Sequence, residues 1–189
     1  MDELVARPAW AGLDLPLSLG GVTLSILPDG PLASLAPLRG QERAVADALG
    51  AALPGPGRMV ALPGGGRLIW NGLGRYLLAG AAPDARLAGR AALVDQSDGW
   101  TGLALTGAGG AVVLARLVPL DLAPVAFPAG GVARSLLGHV DCLLIAGTAG
   151  FEILVARSFT RTAVHDIETA MRAVAARRAL PQGPVGAGP

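Results

Sequence analysis

The sequence predicts an α+β fold in which helices pack on antiparallel sheets. Three observations carry that prediction. Short stretches with apolar residues at every second position come in pairs or triplets, each set followed by a stretch of helical period, and this order occurs twice. Turn-forming sequences, Gly64-Gly65-Gly66 and Asp98-Gly99, join strands within these sets. The glycine runs at 64–66 and 107–110 match neither GxGxxG nor GxxxxGK followed by Ser or Thr, patterns that also need a parallel strand–helix setting.

The elements follow in order. Residues 1–19 hold prolines at 8 and 16 and no sustained period, so they read as an extended arm. Gly21 to Leu27 alternates Val22, Leu24 and Ile26 against Thr23 and Ser25, the pattern of a half-buried strand. From Gln41 to Leu53 the spacing of Val45, Ala48, Leu49 and Ala52 predicts a helix, ended by Pro54-Gly55-Pro56-Gly57. The Gly64–Gly66 turn lies between two short strands, Arg75 to Ala79 is a further strand, and a short helix starts near Pro83-Asp84. Ala92 to Ser97 and Trp100 to Thr106 read as a hairpin closed by Asp98-Gly99, the dipeptide favoured where both central turn residues need positive φ. Gly107 to Val118 has Val113, Leu114, Leu117 and Val118 at helical spacing. A second antiparallel set spans 132–137, 139–146 and 151–156, after which Ser158 is expected to cap a final helix with a buried stripe of Val164, Ile167, Met171 and Val174. The expected organisation is thus an arm at 1–19, a single α+β domain of two intertwined subdomains at 20–180, and a disordered tail at 181–189.

Composition narrows the function classes. Of 189 residues, 52% are hydrophobic and 15% are charged, against about 25% charged in an ordinary soluble domain. Either a membrane span or a surface buried against other chains would account for this. A membrane helix needs about 20 consecutive apolar residues, and the richest segments here are broken by Pro119, Asp121, Pro124 and Gly147. The N-terminus, with Asp2, Glu3 and Pro8, lacks the basic start and apolar run of a secretory signal, so the chain is expected in the cytoplasm. The formal net charge of +1 gives no electrostatic footprint for nucleic acid. All basic residues are arginine, which excludes lysine Schiff-base chemistry. The single cysteine, Cys142, excludes an internal disulfide framework and a cysteine-based zinc site.

Several residues bear weighing as chemistry. Asp95, Gln96, Ser97 and Asp98 crowd polar oxygens together but lack the alternation and closing glutamate of a calcium loop. A catalytic serine at Ser97 or Ser135 would need His139 as base with Asp141 as its orienting partner; the plainer reading of His139 is a turn residue. Arg161, His165, Glu168 and Arg172 project onto one side of the final helix as a solvated or partner-facing surface. Cys142 sits in an apolar strand and reads as a small core residue. No catalytic, cofactor-binding or metal site is assigned on these patterns. Trp10, Trp100 and the proline-rich Val118 to Pro128 segment are the candidate anchors for contacts with other chains, with burial in the chain's own core as their alternative.

A run of short motifs in order then resembles a known family. These are Trp70-Asn71-Gly72, Tyr76-Leu77-Leu78, Val94 to Gly99, Pro119-Leu120-Asp121-Leu122 with Phe127-Pro128, Leu137-Gly138-His139-Val140, Phe151-Glu152 and Arg157-Ser158-Phe159. Across about residues 70–178 the chain resembles the gamma subunit of bacterial heterotetrameric sarcosine oxidase. It departs from that family at Gly107–Gly110, where a Gly-Pro and an arginine are usual. The resemblance implies a fold similar to the folate-binding domain of glycine-cleavage aminomethyltransferases. It also implies membership of a complex that oxidatively demethylates sarcosine to glycine, reduces oxygen to hydrogen peroxide and passes the one-carbon unit to tetrahydrofolate. In that family FAD, FMN, NAD, tetrahydrofolate and zinc belong to other subunits, and the expected partners are the alpha, beta and delta subunits. Two functions are therefore expected, a noncatalytic accessory subunit first and a folate-binding or one-carbon-transfer module second. The second would need a buried carboxylate for the pterin, with Asp95, Asp98, Asp141 and Glu152 as the candidates. The shortage of charge also predicts self-association of the isolated chain.

Overall fold

The computed structural model describes residues 7–180. The expected 181–189 tail and the first six residues of the expected arm lie outside the described residues. The architecture is α+β with two antiparallel sheets. The strands are β1 (Leu17–Leu19), β2 (Val22–Ile26), β3 (Leu32–Pro37), β4 (Met59–Ala61), β5 (Arg67–Gly72), β6 (Arg75–Ala79), β7 (Ala91–Asp95), β8 (Trp100–Thr106), β9 (Val132–Leu137), β10 (Val140–Ala146) and β11 (Gly150–Ala156). Helix α1 (Glu42–Leu49) follows β3, α2 (Gly110–Leu114) follows β8, and α3 (Thr160–Ala179) closes the chain. One sheet has the order β1-β2-β8-β11-β10-β9 and the other β4-β5-β6-β3-β7.

The side-chain alternation of the strands builds four layers, α3 with α2, the six-stranded sheet, the five-stranded sheet, and α1. Leu24, Leu103, Leu105, Leu144 and Ile153 face α3, where Ala163, Ile167, Met171 and Val174 meet them. The opposite side chains of the same strands, Leu143, Ile145 and Leu154, meet Leu32, Ile69 and Leu77 of the five-stranded sheet. Leu35, Leu68 and Leu78 on the outer face of that sheet pack on Val45 and Ala48 of α1 and on Leu87. This explains why β10 is continuously apolar from Cys142 to Ala146, after the exposed Asp141: both faces of that stretch are covered, so neither needs a polar residue.

The expected stripe Val164, Ile167, Met171 and Val174 is buried. The Asp98-Gly99 hairpin is not formed. β7 pairs with β3 and β8 pairs with β2 and β11, so the two strands enter different sheets. Among the described residues no non-glycine residue has positive φ, and Gly99 is not among the positive-φ glycines, so the turn is not the two-residue hairpin type. A local dipeptide reports that the chain turns, not which sheet the next strand joins. Helix α1 ends at Gly50 rather than at Pro54: Gly50 takes φ +66, and the Ala51 N–H donates to the Ala46 carbonyl, satisfying the last turn. Strand β3 was not predicted. Ser158 does not cap α3; Thr160, buried, bonds through its hydroxyl to the Arg157 carbonyl and the Thr101 hydroxyl, both at 2.8 Å. The glycine run after β8 is explained by close packing. Gly107 has φ +103 and a Cβ there would overlap the Gly21 carbonyl, while a Cβ on Gly109 would come within 2.7 Å of Val22. Helix α2 is correspondingly short.

Candidate functional site

A cleft of about 430 Å³ with mixed lining lies where the two sheets meet, bordered by the β2–β3 loop. Its position follows from strand parity. Glu152 in β11 is two residues from Leu154, which faces the other sheet, and Arg67 in β5 is two residues from Ile69, which faces back. Both charges therefore stand at the rim of the inter-sheet apolar layer. They meet as a bidentate pair, Nη1 to Oε1 at 2.9 Å and Nη2 to Oε2, with both side chains about a quarter exposed. Trp100 packs on the same apolar layer and forms part of the cleft wall with Leu32, Ser97 and Leu154. The carboxylate already accepts from both guanidinium nitrogens, so the pair acts as a tie between sheets.

Asp95 and Ser97 form a closed unit at the cleft's edge. The Ser97 backbone N–H and hydroxyl both donate to Asp95 Oδ1, at 2.9 and 2.7 Å, and the Leu32 N–H donates to the Ser97 hydroxyl oxygen at 3.1 Å. These bonds hold the Asp95 carboxyl below the usual carboxylate range. Ser97 has neither histidine among its partners. His139 is exposed in the β9–β10 turn, Asp141 is exposed, and Ser135 is half-buried. The structure thus does not bring together Ser97, His139 and Asp141. Cys142 is buried, and burial, with the Asp141 charge beside it, pushes its thiol up to about 11. Among the described residues no cluster of three His, Cys, Asp or Glu side chains is placed for a metal ion.

The polar side of α3 is partly used by the chain itself. Arg172 pairs with Glu168 at 2.6 Å one turn away, His165 is exposed, and the Arg161 guanidinium donates to the Ala11 carbonyl. Arg157 likewise donates to the Arg7 carbonyl at 2.6 Å, so two arginines strap the N-terminal segment to the start of α3. A shallow basin beside them holds Asp98, Gly99 and Ser158. Of the expected anchors, Trp10 and Trp100 are half-buried, Val118 and Leu122 are core residues, and Val125 is 97% exposed. Of the four carboxylates considered for a pterin, Glu152 alone lines the cleft. Sequence reasoning did not single out Arg67. Its partner is 85 residues away, and no local pattern marks such a pair.

No protein-family model matches this sequence, and no curated protein sequence matches it. Among solved structures the fold is similar to a chain of the heterotetrameric sarcosine oxidase from Corynebacterium sp. U-96, determined in complex with pyrrole 2-carboxylate. The TM-score is 0.78 at 26% identity, and the alignment covers 90% of this chain and 96% of the other. The two chains thus correspond over nearly their whole lengths, and the likeness agrees with a folate-binding-like fold.

Proposed function

We propose that this chain is a noncatalytic accessory subunit of a heterotetrameric sarcosine oxidase, equivalent to the gamma subunit, and acts in the cytoplasm with alpha, beta and delta partners that carry the flavins, NAD, folate and zinc. The observation that carries this reading is the end-to-end structural correspondence, since 96% coverage of the other chain matches a subunit of this size rather than one module of a larger chain. The arrangement of the polar groups supports the noncatalytic role. Arg67 and Glu152 neutralise each other, the Ser97 hydroxyl is held by Asp95, and the Cys142 thiol is buried and kept protonated. The chain's contribution is then to stabilise its partners. Purification from the source cell, with bound chains identified by mass, tests it. A stoichiometric flavoprotein partner is expected; a monomer that binds no flavoprotein chain would contradict the reading.

A folate-binding role ranks second, supported by Glu152 in the cleft. Titration of the isolated chain with tetrahydrofolate distinguishes the two. Micromolar binding lost in Glu152→Gln would put the folate role first.

A further inference from the structure

The five-stranded sheet ends at β7, which pairs only with β3. The Leu38 N–H donates to the Arg90 carbonyl at 2.8 Å and the Gln96 N–H to the Leu32 carbonyl at 2.7 Å, framing this pair. By the two-residue alternation of an antiparallel ladder, Ala92 and Val94 then direct their main-chain groups toward β3, while Ala91, Leu93 and Asp95 direct theirs outward. Among the described residues no backbone group meets those outward N–H and C=O groups.

The other edges are protected. β1 and β4 are three residues each. At β9 the Val132 N–H is taken by the Gly57 carbonyl and the Gly138 N–H by the Leu117 carbonyl, with exposed Arg134 between them. β7, Ala-Ala-Leu-Val-Asp, has no proline, no basic residue and no register shift, and its Val94 side chain is 55% exposed. Natural sheets ordinarily guard such an edge with one of those devices. Val94 also lies on the face turned toward the other sheet, because its partner Ser34 is two residues from Leu32 of the inter-sheet layer.

We propose that the β7 edge receives an extended segment of a partner chain of the assembly, added antiparallel or parallel as a sixth strand. The inference rests on the accessory-subunit reading. A second copy of this chain fits less well. Five residues give about 17 Å of edge, a strip too narrow to supply the roughly 800 Å² per partner of a stable contact. A partner held at other surfaces presents its segment at high effective concentration, and a short ladder then suffices. The incoming strand carries apolar side chains beside Ala92 and Val94 and an uncharged or basic one beside Asp95.

Residue-resolved amide exchange tests this on the isolated chain and on the assembly purified from its cell. In the isolated chain the Ala91, Leu93 and Asp95 amides exchange freely while those of Ala92 and Val94 are protected. In the assembly the first three slow on the order of tenfold or more. Val94→Lys, at an exposed position, weakens assembly about tenfold while leaving the thermal midpoint of the isolated chain in place. An assembly in which the outward amides still exchange freely overturns strand addition and leaves the accessory role standing. Failure to form any assembly overturns both. Concentration-dependent protection in the isolated chain would show a second copy on the edge, and concentration-independent protection would show one of the chain's own ends there; either result overturns the proposal.

Discussion

The two sheets differ in how completely they are covered. The six-stranded sheet carries the 20-residue α3 along one face, and nearly every strand sends a fully buried side chain beneath it. Among the described residues the five-stranded sheet has the eight-residue α1 and Leu87 on its outer face, a smaller cluster around Leu35, Leu68 and Leu78, and an edge strand whose outward main-chain groups meet no other backbone group. Stability is therefore concentrated in the first region and availability in the second. For a chain short of charge, much of the apolar content is buried under α3, and exposed apolar side chains such as Leu73, Val94 and Val125 are spread over separate elements.

The largest effects should separate the two regions. Leu103→Ala, at the centre of the layer under α3, should destabilise by about 4 kcal/mol and Leu35→Ala, in the smaller cluster, by about 2 to 3 kcal/mol. Denaturant unfolding of the isolated chain measures both, and a reversed order would erase the contrast. Next comes Gly107→Ala, expected to lose about 3 kcal/mol through its positive φ and the overlap with Gly21. A thermal midpoint unchanged by this substitution would mean that the β8–α2 junction is loose enough to admit a side chain beside Gly21.

The balance between local and distant signals explains what the sequence made legible. β9, β10 and β11 were readable because short apolar stretches alternate there with short glycine-containing turns, and the α3 stripe because helical spacing holds from Val164 to Val174. β3 was not, since Leu32–Pro37 follows one proline and ends in another, and its two leucines are three residues apart and face opposite layers, so no alternation shows. The β7–β8 hairpin was wrongly expected because Asp98-Gly99 encodes a turn but carries no information on the pairing of each strand. At the site, Ser97, Asp95 and Glu152 could be named from sequence, whereas the Arg67–Glu152 tie is set by sheet packing alone.

That tie gives a medium effect. Glu152→Gln should lose about 1 kcal/mol, because the side chains are only partly shielded and one charge remains at the rim. Double-mutant analysis with Arg67→Gln reads the coupling, and a coupling near zero would mean that apolar packing alone holds the sheets. The smallest effect is at alkaline pH. The Cys142 thiol rises from 9.0 in the unfolded reference to about 11 in the fold, so its contribution to stability is present below about pH 9 and is lost as pH rises toward about 11. Cys142→Ala should flatten that limb in a pH series of unfolding curves. An unchanged limb would place the alkaline transition elsewhere.

The role proposed for this chain is to support an oxidase assembly without doing its chemistry. Substrate-dependent turnover of the assembly carrying Ser97→Ala, His139→Gln and Cys142→Ala together tests that claim most directly. Turnover within about twofold of the unaltered assembly is predicted, because none of these groups is arranged for proton transfer or nucleophilic attack. A fall of about a hundredfold or more with assembly intact, the scale of a lost acid–base group, would contradict it.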